Sequence, residues 1–152
     1  MPSIGLAIEY RTRRDFFIDT LFEEFDVRQS YSTKSIWAGC EVYDCYIKAT
    51  NMVEKASYRK AFSFVPPTSG MFIWIAIDFE SHPTFKEGEE ETLEMQLWEN
   101  IAEAGLLVAP GWYFAAEDEI LDHGHGHFRI SFSNAEVRLW FVHFAREMAD
   151  LL

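Results

Sequence analysis

The run Met71-Phe72-Ile73-Trp74-Ile75-Ala76-Ile77-Asp78-Phe79, entered from the breaker Pro66-Pro67-Thr68-Ser69-Gly70, restricts the fold of this chain more than any other segment. It is continuous, rich in isoleucine and aromatics, and bounded by turn residues, so it reads as a strand covered on both faces. Such a strand needs partners beside it and helices over it. Residues from about Ser3 to Phe25 place Phe17, Leu21 and Phe25 at helical spacing, with Ile18 and Phe22 beside them, and Ile4 to Ile8 is apolar nearly all round. Glu89-Glu90-Glu91 suits the positive end of a helix dipole; Leu93, Leu97, Ile101 and Ala104 follow on one stripe, and Gly105 ends it at the C′ position. Ser133-Asn134-Ala135-Glu136 fits a capping box ahead of a third helix with Val137, Trp140, Phe141, Phe144, Met148 and Leu151 on one face. Leu106-Leu107-Val108 is a short strand stopping at Pro110-Gly111, Trp112 to His127 reads as a loop with an acidic turn at Glu117 to Glu119, and Phe128 to Phe132 alternates as a strand. Between Val27 and Ser63 the pattern is weak, and Glu41 to Lys48 reads as a short helix or an irregular segment. The predicted order is helix, strand, helix, strand, strand, helix. The predicted fold class is α+β: a two-layer small domain whose short, mostly antiparallel sheet carries helices on one face.

Composition narrows the classes. A chain of 152 residues, 49% hydrophobic and 16% aromatic, is enough for one domain over residues 1–152 with its own core. The balance of 13 Lys+Arg against 25 Asp+Glu, a formal charge of −12, repels phosphate backbones and anionic membranes. The amino terminus lacks a basic region ahead of its short apolar run, and no stretch is long enough to span a bilayer, so a cytoplasmic protein is expected. Cys40 and Cys45 are too few for a disulfide framework and read as reduced thiols. The acidic clusters at Glu87 to Glu91 and Glu117 to Glu119 read as solvated faces.

Alternation gives Arg129 a special place. Phe128, Ile130 and Phe132 point to one side of their strand, while Arg129 and Ser131 point to the other. A guanidinium held on a rigid strand is suited to bidentate capture of a carboxylate. It equally suits pairing with one of the many surface acids.

Three segments carry a family resemblance: Pro66-Pro67-Thr68-Ser69-Gly70-Met71-Phe72-Ile73-Trp74, Gly105-Leu106-Leu107-Val108-Ala109-Pro110-Gly111-Trp112-Tyr113-Phe114, and His127-Phe128-Arg129-Ile130-Ser131-Phe132-Ser133. In order and spacing they resemble the carboxy-terminal small domain of class I/II, fold type I, pyridoxal-phosphate aminotransferases, nearest to the fungal branch acting on aromatic amino acids, kynurenine or 2-aminoadipate. The resemblance runs from about Ile8 to the end. It implies that Arg129 binds the substrate's α-carboxylate, and that Gly70, Pro110, Gly111 and Tyr113, with Phe114, shape the substrate entrance. It further implies a transferase moving an amino group from an amino acid, aromatic in view of Trp112, Tyr113 and Phe114, to a 2-oxo acid, with homodimers formed by the full-length enzyme.

Such an enzyme needs a Schiff-base lysine, an acid at the pyridine nitrogen and a phosphate cradle. None stands here in the family's context. Ser57-Tyr58-Arg59-Lys60 fits S-x-x-K by letters and Ser30-Tyr31-Ser32-Thr33-Lys34 has a similar flavour, but neither has the glycine-rich continuation. The chain is therefore expected to be a fragment lacking the large domain, without catalytic or cofactor-binding residues of its own and inactive alone, with pyridoxal phosphate (PLP) bound only in the full-length enzyme. Two other readings stand beside it. One is a non-catalytic interaction or dimerisation module of the same fold. The other is a metal-binding domain, since Asp122-His123-Gly124-His125-Gly126-His127 sets three histidines at alternate positions, although with no cysteine at ligand spacing no metal is expected. His82 and His143 show no chemistry in the sequence.

Overall fold

The computed structural model describes residues 4–33, 37–48, 59–106, 108–114, 126–132 and 137–152, with only the backbone of 137–141. Its elements are helix α1 (Ile4–Glu24), strands β1 (Phe25–Tyr31), β2 (Glu41–Ile47), β3 (Lys60–Phe64) and β4 (Phe72–Ile77), helix α2 (Glu90–Glu103), strands β5 (Ala109–Pro110) and β6 (His127–Ser131), and helix α3 (Val137–Leu151). The six strands form one sheet in the order β1-β2-β3-β4-β6-β5, and every neighbouring pair is antiparallel. This is the expected α+β domain, with more strands than the pattern revealed. Glu41–Ile47 is a strand, not a helix or an irregular segment, and β1 and β3 also arise in the unassigned stretch. The short strand after α2 lies at Ala109–Pro110, beyond the predicted Leu106–Val108.

The inner face of the sheet is built by alternation. Phe25 opposes Ile47, Val27 opposes Cys45, Cys45 opposes Phe62, and Phe62 opposes Ile77, so one row of apolar side chains crosses four strands. Ile73, Ile75, Phe128 and Ile130 continue that face, and helices cover it with Phe17 and Leu21 of α1, Leu93, Leu97 and Ile101 of α2, and Phe144 and Met148 of α3. Phe17 meets Phe144 with ring centroids 5.8 Å apart, and Phe25 meets Phe62 edge-on at 5.0 Å. The stripe Phe17, Thr20, Leu21 is the spacing by which a helix buries one side, and the Thr20 hydroxyl donates back to Phe16 O at 2.8 Å. Burial also raises the Cys45 thiol well above its ordinary range, so it serves as a small apolar residue.

Helix α2 ends where its sequence says it should. Gly105 takes a φ of +82°, Leu106 N–H donates to Ile101 O and Gly105 N–H to Ala102 O, which is the Schellman arrangement, with Leu106 buried beyond it. Two histidines meet carbonyls at helix C-termini: His143 Nε2 lies 2.9 Å from Ala104 O at the end of α2, and His82 Nε2 lies 3.4 Å from Leu151 O at the end of α3. The Ser133–Glu136 capping box, Leu107, Lys34, the Glu117–Glu119 turn, His123, His125, and the side chains of Val137, Trp140 and Phe141 lie outside the described residues. Among the described residues no helix is long and apolar enough to cross a membrane.

The outer face differs from the expectation for a strand covered on both sides. On β4 the inner residues Ile73, Ile75 and Ile77 are fully buried, whereas Phe72 is 38% exposed and Trp74 half-buried. Ile4, 82% exposed, and Ile8 likewise stand in the open at the start of α1.

Glu94 on α2 gives a pH-dependent term. Its Oε1 lies 2.6 Å from where a side chain on Gly126 would begin, and burial first, then repulsion from Glu91, pushes its carboxyl from the ordinary 4.5 up to about 7. The unfolded chain gives up this proton at lower pH than the folded one. Folded stability therefore declines as pH rises from 4.5 to about 7. Glu94→Gln, which fixes the neutral form, should match the unaltered chain in Tm at pH 4 and exceed it at pH 8 by about 2–4 °C, the shift that ~1 kcal/mol produces in a domain of this size. Equal Tm differences at both pH values would contradict it.

Candidate carboxylate site

Strand β6 alternates as its letters require: Phe128 and Ile130 enter the core and Arg129 projects from the outer face, opposite Trp74 of β4 on one side and Ala109 of β5 on the other. Its guanidinium is held between two rings. The Arg129 Cζ lies 4.2 Å from the centroid of Phe72 and 4.1 Å from that of Phe114. Phe114 in turn stands edge-on to Trp74 at 5.5 Å and 86°. Both rings lie at cation–π distance and attract the guanidinium, which restrains it and leaves its N–H edge as the part an anion can meet. Among the described residues no acid or carbonyl pairs with that edge, which leaves the surface-acid reading of Arg129 without a partner.

The turn that carries Phe114 is built from Pro110-Gly111-Trp112-Tyr113. Pro110 is buried opposite Phe128, and Gly111–Tyr113 form one 3-10 turn closed by Phe114 N–H on Gly111 O at 2.9 Å. Gly111 is glycine because of a close approach: a Cβ there would stand 2.6 Å from His127 O and 2.9 Å from His127 Cβ. From the other side Trp112 meets Trp98 of α2 at 5.9 Å, and the Trp98 indole N–H donates to Val108 O at 3.1 Å. The turn is thus pinned to the core while Phe114 reaches over Arg129.

Of the predicted site residues, the structure brings Arg129, Pro110 and Gly111 into one region. Tyr113 is 80% exposed, and its ring meets that of Phe114 with centroids 6.2 Å apart. Gly70, at φ +85°, supplies the left-handed residue in the exposed turn two positions ahead of Phe72, and a Cβ there would meet no atom within 4 Å. Phe72 and Trp74 were not singled out from sequence, although the alternation of β4 places them on the same face as Arg129. His127 is buried on that face beneath Trp37, whose ring meets it edge-on at 5.5 Å.

The lysine fitting S-x-x-K is engaged elsewhere. Lys60 Nζ lies 3.8 Å from Asp44 Oδ1 and 3.4 Å from Asp78 Oδ2, while the Ser30 and Ser63 hydroxyls donate to the Asp44 oxygens at 2.7 and 2.6 Å. This amine is thus engaged by two carboxylates instead of facing an open site where an aldehyde could meet it. Lys48 donates to Glu23 O at the surface and Lys86 faces Glu89 at 3.8 Å. No lysine among the described residues fits the aldehyde of PLP.

With this geometry in view, comparison with known proteins points one way. No family model matches. Over 58 residues, 36% of this chain and 12% of its own length, the aminotransferase swnA of Arthroderma benhamiae is 40% identical. The crystal structure of aminotransferase Aro8 from Candida albicans superposes with a TM-score of 0.58 at 23% identity over 93% of this chain, and aminotransferase Aro9 from C. albicans with 0.56 at 16% over 95%. The chain spans 12% of the curated relative, and 25% and 23% of the two solved chains. At these identities the structural likeness establishes the fold, and the local sequence match falls on the same kind of protein. The chain has the fold of a domain present in these aminotransferases.

Proposed function

We propose that this chain is the carboxy-terminal small domain of a PLP-dependent aminotransferase, that Arg129 binds the α-carboxylate of an aromatic amino acid and of the 2-oxo acid exchanged with it, and that the chain alone is inactive. One observation carries the reading: a guanidinium fixed on a sheet face between Phe72 and Phe114 with its N–H edge unpaired among the described residues. A carboxylate offers two acceptors matching that edge, and the surrounding rings favour an apolar, aromatic body behind it. PLP supplies the electron sink of amino transfer when bound. With no fitting lysine among the described residues, the reading assigns its site to a large domain that this chain does not include, and makes the full enzyme a homodimer. This chain's contribution is to hold the carboxylate and to keep water from its aromatic side.

The test is a titration of the ¹⁵N-labelled chain with phenylacetate and, separately, with 2-phenylethanol. Phenylacetate should shift the Arg129 Nε–H signal and the Trp74 indole signal, and the neutral alcohol should leave Arg129 unmoved. Equal responses to both, or none to either, would remove the carboxylate role. Incubated with PLP and an aromatic amino acid, the chain should transfer no amino group, and mass spectrometry should find no lysine-linked cofactor.

A further inference from the structure

Arg14 lies on helix α1, 53 residues from the turn that its side chain holds. Its Nη1 donates to Pro67 O at 3.1 Å and to Thr68 O at 3.4 Å, while Nε and Nη2 meet Asp15 Oδ1 at 2.8 and 2.6 Å. The Asp15 contacts orient the planar fork, so that one nitrogen faces two successive carbonyls. Pro66 and Pro67 have fixed φ and no N–H, so these two positions offer no amide by which the chain entering the turn could be tied down. Among the described residues, Arg14 is the one side chain hydrogen-bonded to residues 67–70. Beyond the bend at Gly70 the chain is tied again, where Phe132 N–H donates to Met71 O at 2.9 Å, and Phe72 follows directly.

We propose that Arg14 is a positioning residue for the carboxylate site, fixing the Pro67–Gly70 turn and through it the Phe72 ring that packs against the Arg129 guanidinium. This rests on the reading of Arg129 given above. Arg14 itself touches no substrate. Without it, the tether at Met71 remains but no other hydrogen bond among the described residues holds the turn ahead of it, so Phe72 samples positions off the guanidinium. Arg129 then loses part of its restraint, and the loss shows in carboxylate affinity.

The experiment compares Arg14→Met, Arg14→Lys and Arg129→Ala in the ¹⁵N-labelled chain, using phenylacetate as the probe. In the unaltered chain the Arg129 Cζ lies 4.2 and 4.1 Å from two ring centroids, so the neighbouring Nε–H proton should be shifted by their ring currents. Arg14→Met should move that signal toward the value of a free guanidinium and weaken phenylacetate binding about fivefold, a change of ~1 kcal/mol. Arg14→Lys, which keeps a cation but loses the fork, should fall between. Core variant Phe17→Leu serves as the control: it lowers Tm and should leave the Arg129 signal in place. If Arg14→Met keeps the ring-shifted signal and the affinity while lowering Tm, Arg14 is only a strut and the proposal is overturned. Should Arg14→Met not fold, an Arg14→Lys chain indistinguishable from the unaltered one in both signal and affinity overturns it equally. If Arg129→Ala binds phenylacetate as well as the unaltered chain does, the carboxylate reading fails instead. The Arg129 signal in the Arg14 variants would still report on the positioning.

Discussion

Replacing Arg129 with alanine should raise the Kd of this chain for phenylacetate by about ten- to a hundredfold, because a charge-assisted hydrogen-bond pair contributes about 1.5–3 kcal/mol. The mechanism requires both loss of charge and loss of shape. Arg129→Lys restores the charge but not the planar fork, and its ammonium lies less well between Phe72 and Phe114, so it should recover only a minor part of the affinity. Because the side chain stands on the outer face with one Cα neighbour in each adjoining strand, its removal opens no cavity in the core, and Tm should change little. Calorimetry or the titration above measures the first effect and thermal unfolding the second. A Kd unchanged within about twofold would take Arg129 out of the site. In a full-length enzyme carrying this domain the same substitution should lower kcat/KM by a comparable factor, since the carboxylate is held in the ground state and the transition state alike.

Phe17→Ala should be the most damaging single substitution for stability, costing about 3–5 kcal/mol as large aromatic truncations do in a closed core. Phe17 is fully buried, and its ring meets Phe144 at 5.8 Å where α1 and α3 lie together over the sheet. A domain whose total stability is about 5–15 kcal/mol would be left marginal. Part of the loss belongs to the ring pair. In a double-mutant cycle with Phe144→Ala, a coupling of about 0.5–1.5 kcal/mol is expected. Denaturant unfolding measures both quantities, and a cost below ~1 kcal/mol would show that the helices can collapse onto the vacated space.

How far the sequence revealed this molecule depended on how cleanly its residues alternate. The strand at Phe128 to Phe132 was legible because aromatic and branched residues face the helices, while Arg129 and Ser131 do not. Helix α2 was legible to its last turn, since Gly105 and Leu106 spell the bonds that end it. The strands between Val27 and Ser63 were not. There the inner face is made by Phe25, Val27, Tyr43, Cys45 and Phe62, but the outer face buries Val42, and the Asp44 carboxylate sits beneath Ser30, Ser63 and Lys60. A buried polar network and a bulge between Cys45 and Tyr46 hide a period of two. Around the candidate site, the outward position of Arg129 and the turn at Pro110-Gly111 were legible, whereas Phe72 and Trp74 were hidden inside a run that read as uniformly buried. Only the register of β4 against β6, Phe72 with Ser131 and Trp74 with Arg129, turns those two residues toward the guanidinium.

The shortness of β5 also matters for how the protein behaves in concentrated solution. At that margin of the sheet only Ala109 and Pro110 are available, and proline has no amide hydrogen to offer an incoming chain. Among the described residues a second molecule arriving there finds almost no ladder to extend, which disfavours edge-to-edge pairing beside Arg129. The same two residues therefore let an apolar, ring-lined surface sit near the rim of a β-sheet with little backbone there to seed aggregation.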